Sequence, residues 1–265
     1  VSGTGFRTHD SAWIRSQFLP DEKVELHDIT EEWATFSLMG PLAREVLAQV
    51  TENDLENENF PFGTCRNIEI KEELAPDVPT VLALRVTYVG ELGWELYIRM
   101  NEAKEIYNLI VQTGKEFNLS HCGMLAMDTM RMETGYLHWG HDISPEENQY
   151  QAGLQFTISY KKNIDFVGKE SLLKIKDKKD NKKFVMLTLK DSKPGEPLLL
   201  HDEPIYNDKD IIGRTTSGNF SFNFNKNLAF GYINSELSKE DLAKENLFIE
   251  VQKKKYPASI ILKPL

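Results

Sequence analysis

The stretch Tyr88–Ile98, YVGELGWELYI, constrains the fold more than any other part of the chain. Leu84 and Val86 before it, and Trp94, Leu96 and Ile98 within it, are apolar or β-prone at every second position, the mark of strands; Gly90 and Gly93 supply the turn between them. A hairpin is expected. Side chains alternate across a strand, so Trp94, Leu96 and Ile98 share one face while Glu95 and Tyr97 share the other. That fixes a carboxylate in mid-strand. On spacing alone Glu95 faces solvent or pairs with a nearby Lys or Arg.

The other segments read as mixed strands and helices, hence an α+β fold with a mainly antiparallel sheet. Near the start, Trp13, Ile14 and Phe18 give helical spacing. Trp33–Met39 alternates as a strand, Gly40-Pro41 breaks it, and Leu42–Val50 carries Leu42, Val46 and Val50 on one helical stripe with Pro41 at the tolerated first position. Thr64–Lys71 and Thr80–Tyr88 read as strands separated by the turn LAPDVP. Glu102–Phe117 is amphipathic, with Ala103, Ile106, Tyr107, Ile110 and Phe117 inward. Cys122–Gly135 is a second helix, apolar nearly all round and therefore expected to be buried, that carries Asp128, Arg131 and Glu133. Buried charges need partners, so Asp128 and Arg131 form an internal i,i+3 pair or contact a ligand. Gly168 opens a short helix through Ile175, and six lysines in the ten residues 174–183 mark a solvated linker or, more sharply, a polyanion site. From Phe184 onward the runs FVMLTL, PLLL, PIYN, IIGRTTSG, LAFGYI, LFIEV and PASIIL, separated by turn residues, predict a small antiparallel barrel.

Two domains are expected from a 265-residue chain, 1–173 and 184–265. No apolar run approaches the roughly 20 residues of a membrane span and no signal-peptide pattern opens the chain, so a cytoplasmic protein is expected. A net charge of -10 speaks against nucleic acid and against an anionic membrane surface. Cys65 and Cys122 lie far apart without ligand spacing and read as buried small residues. His138 and His141 flank a turn at Gly140 without a third ligand, so no metal is expected.

Several of these strings resemble one family. YVGELGWELY is similar to the GYTGExGxEIY hairpin of the glycine-cleavage T-protein (aminomethyltransferase) family, in which a Tyr and a Glu seven residues later contact the pterin of tetrahydrofolate; here these are Tyr88 and Glu95. An ionised carboxylate can accept the adjacent ring N–H and exocyclic NH2 of a pterin together, and a Tyr ring adds a flat wall. FSLMGPLAREVL resembles the family's IQGPKAxxVL, CGMLAMDTMRMETG its GLxARDxLRLExG, and GRTTSG with LAFGYI its carboxyl-terminal barrel signature. Met127 departs from the pattern, standing where the T-protein proper has an Arg. RMETGYLHWGHDI is similar to the RxEKGYRHWGxDI form of the folate domains of sarcosine and dimethylglycine dehydrogenases, and QAGLQF to EAGLxF, with Gln151 in place of Glu and read as structural.

The resemblance implies an aminomethyltransferase-like folate-binding domain with ferredoxin-like antiparallel sheets and helices, followed by a barrel. Its cofactor-binding residues would be Tyr88, Glu95, Arg131, Trp139 and Phe156, with tetrahydrofolate as cofactor. The implied activity is capture of a methylene unit from an N-methyl amine such as sarcosine or dimethylglycine, giving 5,10-methylenetetrahydrofolate. The amine would be oxidised by an FAD-dependent domain or subunit outside these residues, since no G-x-G-x-x-G follows a strand here. In a eukaryote the mitochondrial matrix would be the compartment. The family's catalytic Asp falls upstream of the residues that match Val1–Phe18, so no catalytic residue is assigned, a longer natural polypeptide is expected, and the isolated chain is expected to bind folate weakly. Two further readings stay open: a T-protein of the glycine-cleavage system, and a noncatalytic regulatory relative.

Overall fold

The structure, a computed structural model, describes residues 3–178, 180–191 and 193–264. Lys179 of the lysine-rich stretch lies outside the described residues. The chain forms two compact units: Val1–Thr87 with Glu91–His121, and Tyr88–Gly90 with Cys122–Leu265.

The first unit contains helix α1 (Arg7–Ser16), strand β1 (Trp33–Met39), helix α2 (Ala43–Val50), strands β2 (Cys65–Glu69), β3 (Thr80–Leu84) and β4 (Gly93–Arg99), and helix α3 (Ala103–Gly114). Helix α1 buries no side chain: its spacing is helical, but Trp13 is 57% exposed. The strands make an antiparallel sheet of order β1-β4-β3-β2. Alternation along β4 sends Trp94, Leu96 and Ile98 into the core, each at most 1% exposed, where they join Val46, Leu47 and Val50 of α2 and Ile106 and Ile110 of α3. Leu42 and Pro41 lie ahead of α2 rather than in it, and Leu42 is exposed.

The expected hairpin is present as β3 and β4, paired Leu84 to Glu95, Ala83 to Leu96 and Leu82 to Tyr97. Its connection is longer than the sequence suggests. Strand β3 stops at Leu84, where the Val86 N–H bonds back to the Leu84 carbonyl at 3.0 Å; the Arg85 guanidinium donates to the Phe60 carbonyl and, at 2.7 Å, to Asn57 Oδ1. Gly90, at φ +73°, takes the left-handed turn position that glycine favours. Gly93 has a different reason to be glycine: a Cβ there would run into the Leu38 backbone where β4 begins its pairing with β1. Cys65 is exposed, not buried, because it opens β2 on the sheet's open face; Cys122, ahead of the next helix, is exposed as well.

The second unit contains helices α4 (Met124–Glu133) and α5 (Lys169–Ile175), strands β5 (Lys182–Leu189), β6 (Pro204–Asn207), β7 (Asp210–Ser221) and β8 (Lys226–Asn234), helix α6 (Lys239–Leu242), and strands β9 (Leu247–Val251) and β10 (Lys254–Ile261). The strands close into an antiparallel barrel of order β10-β5-β8-β7-β6-β9, filled by Val185, Leu187, Ile205, Ile233 and Ile249 among others. PLLL, expected as a strand, is a loop in which Pro197 and Leu199 are buried and Leu198 and Leu200 exposed. Helix α4 is less buried than its composition suggests. Met124 and Leu125 in its first turn are 70% and 81% exposed, and burial begins at Thr129. Gly168 caps α5 as expected, with φ +88°.

Candidate functional site

In the first unit the face of β4 opposite the core carries Glu95, Tyr97 and Arg99. Register sets Ser37 of β1 and Leu84 of β3 on either side of Glu95, and Thr35 and Leu82 on either side of Tyr97. Glu95 is half-buried and makes no ion pair among the described residues. Its Oε2 accepts a 2.6 Å hydrogen bond from the Tyr97 hydroxyl, two residues along the same strand face. Neither plain expectation for Glu95, free solvation or a cationic partner, describes this arrangement. The Tyr97 phenol is held protonated, its pKa raised by burial and then by the Glu95 carboxylate it donates to. Arg99, the next side chain on this face, is occupied elsewhere: it lies 3.3 Å from Glu32 and over the Trp33 ring.

In the second unit Tyr88 stacks on Tyr136, ring centroids 6.0 Å apart and nearly parallel, and donates its hydroxyl to the Leu137 carbonyl at 2.7 Å. Burial raises its pKa. Arg131, 1% exposed, makes four hydrogen bonds and two ion pairs. Nε donates to Asp128 Oδ1 at 2.8 Å and NH2 lies 2.7 Å from the same oxygen; NH1 reaches Asp142 Oδ2 at 2.6 Å and the Tyr136 carbonyl; NH2 also donates to Ser217 Oγ. Asp142 in turn accepts from Ser217 and Thr216 hydroxyls at Oδ1 and from the His138 N–H at Oδ2. Successive strand residues ordinarily point to opposite faces. Here the register of β7 shifts between Thr215 and Ser217, and this bulge lets Thr216 and Ser217 aim at one carboxylate.

The internal pair of Arg131 with Asp128 is therefore what the structure contains, extended by Asp142. Glu133 is buried too, and accepts from Ser221 Oγ and Asn223 Nδ2. Trp139 is 46% exposed and Phe156 is 80% exposed. Gln151 is structural, as read: its Oε1 accepts from the Asn148 N–H, its Nε2 donates to Asp180, and its carbonyl receives the Phe184 N–H. The His138 and His141 rings lie 4.5 Å apart, and among the described residues no group of three metal-ligating side chains forms. His138 is pushed below its ordinary pKa by burial first, then by His141 and Arg131. Sequence reasoning passed over Tyr97 as a partner of Glu95. The signal was available, because residues two apart on a strand share a face.

Two family descriptions cover the chain: the GCVT N-terminal domain matches residues 1–162 and the glycine cleavage T-protein C-terminal barrel domain matches residues 182–265. Among relatives, the mitochondrial dimethylglycine dehydrogenase of Rattus norvegicus is 35% identical over 267 residues, covering 100% of this chain and 30% of that protein. The mitochondrial sarcosine dehydrogenase of Mus musculus is 32% identical over 211 residues, 80% of this chain and 22% of that protein. The chain thus spans less than a third of either relative. The crystal structure of the glycine cleavage system aminomethyltransferase T from Bartonella henselae superposes with a TM-score of 0.78 at 22% identity, covering 99% of this chain and 66% of that one, which shows a shared fold. With family matches across both its α+β part and its barrel, the chain belongs to the glycine-cleavage T-protein family.

Proposed function

We propose that these residues form the tetrahydrofolate-binding, one-carbon-transfer part of an FAD-dependent N-methyl amine dehydrogenase. The donor is an N-methyl amine of the dimethylglycine or sarcosine kind, and the product is 5,10-methylenetetrahydrofolate. Similarity along the entire chain to dimethylglycine dehydrogenase supports the placing. The observation that carries the ligand reading is Glu95: a half-buried carboxylate on an open sheet face, with a phenol on one oxygen and no cation on either among the described residues. Such a group has acceptor capacity left for a donor pair on a ligand.

Tetrahydrofolate, when bound, supplies the nucleophilic nitrogens that take up the one-carbon unit. Glu95 grips the paired N–H donors of the pterin edge and fixes its orientation. In the second unit, taken by itself, Tyr88 has its hydroxyl already donated to Leu137 and keeps its ring, and Trp139 and Phe156 present exposed aromatic surface on which a flat ring can stack. Arg131, buried and hydrogen-bonded through each of its three nitrogens, acts by holding the turn at Tyr136 and the Asp142 loop in place.

Glu95→Gln keeps the shape and removes the charge. Titration calorimetry with 5-formyltetrahydrofolate, a stable reduced folate, is expected to show a loss of about 1.5–3 kcal/mol, roughly tenfold or more in Kd. Unchanged affinity would remove the folate assignment. The fold shared with aminomethyltransferase T keeps a glycine-cleavage role as a second reading, and binding of a lipoylated carrier protein would favour it.

A further inference from the structure

Glu95 has one described partner, and that partner is a second side chain of the same strand face. The phenol–carboxylate contact of 2.6 Å is shorter than the usual neutral O–H···O bond, as a charge-assisted bond should be. A Glu side chain has three rotatable bonds and, on an open sheet face, would otherwise sample several rotamers. The flanking residues do nothing to prevent this: Ser37 is small, and Leu84 offers no donor. Tyr97 does. Its ring is half-buried between the positions of Thr35 and Leu82, so its hydroxyl is presented from a fixed base. Because the bond takes one lone pair of Oε2, it leaves Oε1 and the remaining lone pair of Oε2 directed away from Tyr97.

We propose that Tyr97 is the positioning residue of the folate site, locking the Glu95 carboxylate in one rotamer so that it meets the pterin donors without reorganising. This rests on the folate reading of Glu95. A locked acceptor binds more tightly because its side-chain entropy is already lost. The neighbours on this face are Ser37 and Thr35 of β1 and Leu84 and Leu82 of β3, and Arg99 along β4 is engaged by Glu32.

The test is folate binding by the full chain and its variants at neutral pH, using 5-formyltetrahydrofolate. Tyr97→Phe is expected to raise Kd about tenfold. The double variant Glu95→Gln with Tyr97→Phe is expected to bind no worse than Glu95→Gln alone, since Tyr97 acts only through the carboxylate; a further loss of about tenfold in the double variant would make the two residues independent and overturn the positioning role. If Glu95→Gln weakens binding while Tyr97→Phe leaves Kd in place, the positioning role is overturned and the folate site stands. If Glu95→Gln has no effect, the folate site itself fails and the proposal with it. Should Tyr97→Phe not fold, 3-fluorotyrosine at position 97 keeps the ring and makes a stronger donor; Kd is then expected to fall, and an unchanged Kd overturns the role.

Discussion

At the scale of single residues, the second unit is most exposed to change at Arg131. Its guanidinium is the only cation that the Asp142 carboxylate, itself fully buried, meets among the described ion pairs. Arg131→Met fills comparable volume but strands that charge, and a loss of about 3–5 kcal/mol in unfolding free energy is expected by urea denaturation. A loss below about 1 kcal/mol would mean that the hydroxyls of Thr216 and Ser217 suffice for Asp142. The pair of Arg131 with Asp128 was legible from i,i+3 spacing on a predicted helix. The partner at 142 was not, because it comes from a loop whose return to the helix depends on tertiary packing. Exposure of Cys65 escaped the sequence for a similar reason. Cysteine favours burial on average, but the face a residue occupies at the start of an edge strand is set by register.

At the scale of elements, the hairpin and the barrel strands were readable because period-two alternation and turn residues are local properties. What locality misses is where an element stops. Strand β3 ends at Leu84, where the Val86 N–H turns back to the Leu84 carbonyl, and Arg85 just beyond is held by Phe60 and Asn57, residues far earlier in the chain. Helix α4 shows the same limit in burial: an apolar composition all round says nothing about which turns meet a neighbour, and the first turn meets none that covers Met124 or Leu125. The connection to β4 has its own weak point. Gly90 combines a left-handed φ of +73° with a Cβ direction that points into the Thr134 side chain. Gly90→Ala should destabilise by about 1–2 kcal/mol from the backbone alone, with more from the clash. Thr134→Ala in the same chain should restore only the second part, and full restoration would show that the backbone conformation carries no cost.

At the scale of the whole molecule, stability should depend on pH through His138. Its pKa in the folded chain lies below the ordinary value of 6.5, from burial and from the facing His141 and Arg131, opposed in part by Asp142 and Asp128. Between the folded and unfolded pKa values the unfolded chain binds the extra proton, so stability is greatest above the unfolded value and declines as pH falls through it. Denaturation midpoints should therefore drop between about pH 7.5 and about pH 5.5, and His138→Gln should flatten that slope. An identical slope in the variant would assign the dependence to other groups. No helix among the described residues is long and apolar enough to cross a membrane, and the apolar residues collect into separate cores, one under the four-stranded sheet and others in and beside the barrel. Closure of that barrel has a consequence for association. A strand ring has no terminal member, so it offers no row of unpaired amides and carbonyls for a foreign strand to copy. Among the described residues the four-stranded sheet of the first unit keeps two edges, β1 and β2, and on the outer side of β2 the side chains of Asn53 and Thr51 already occupy the Glu69 N–H and carbonyl.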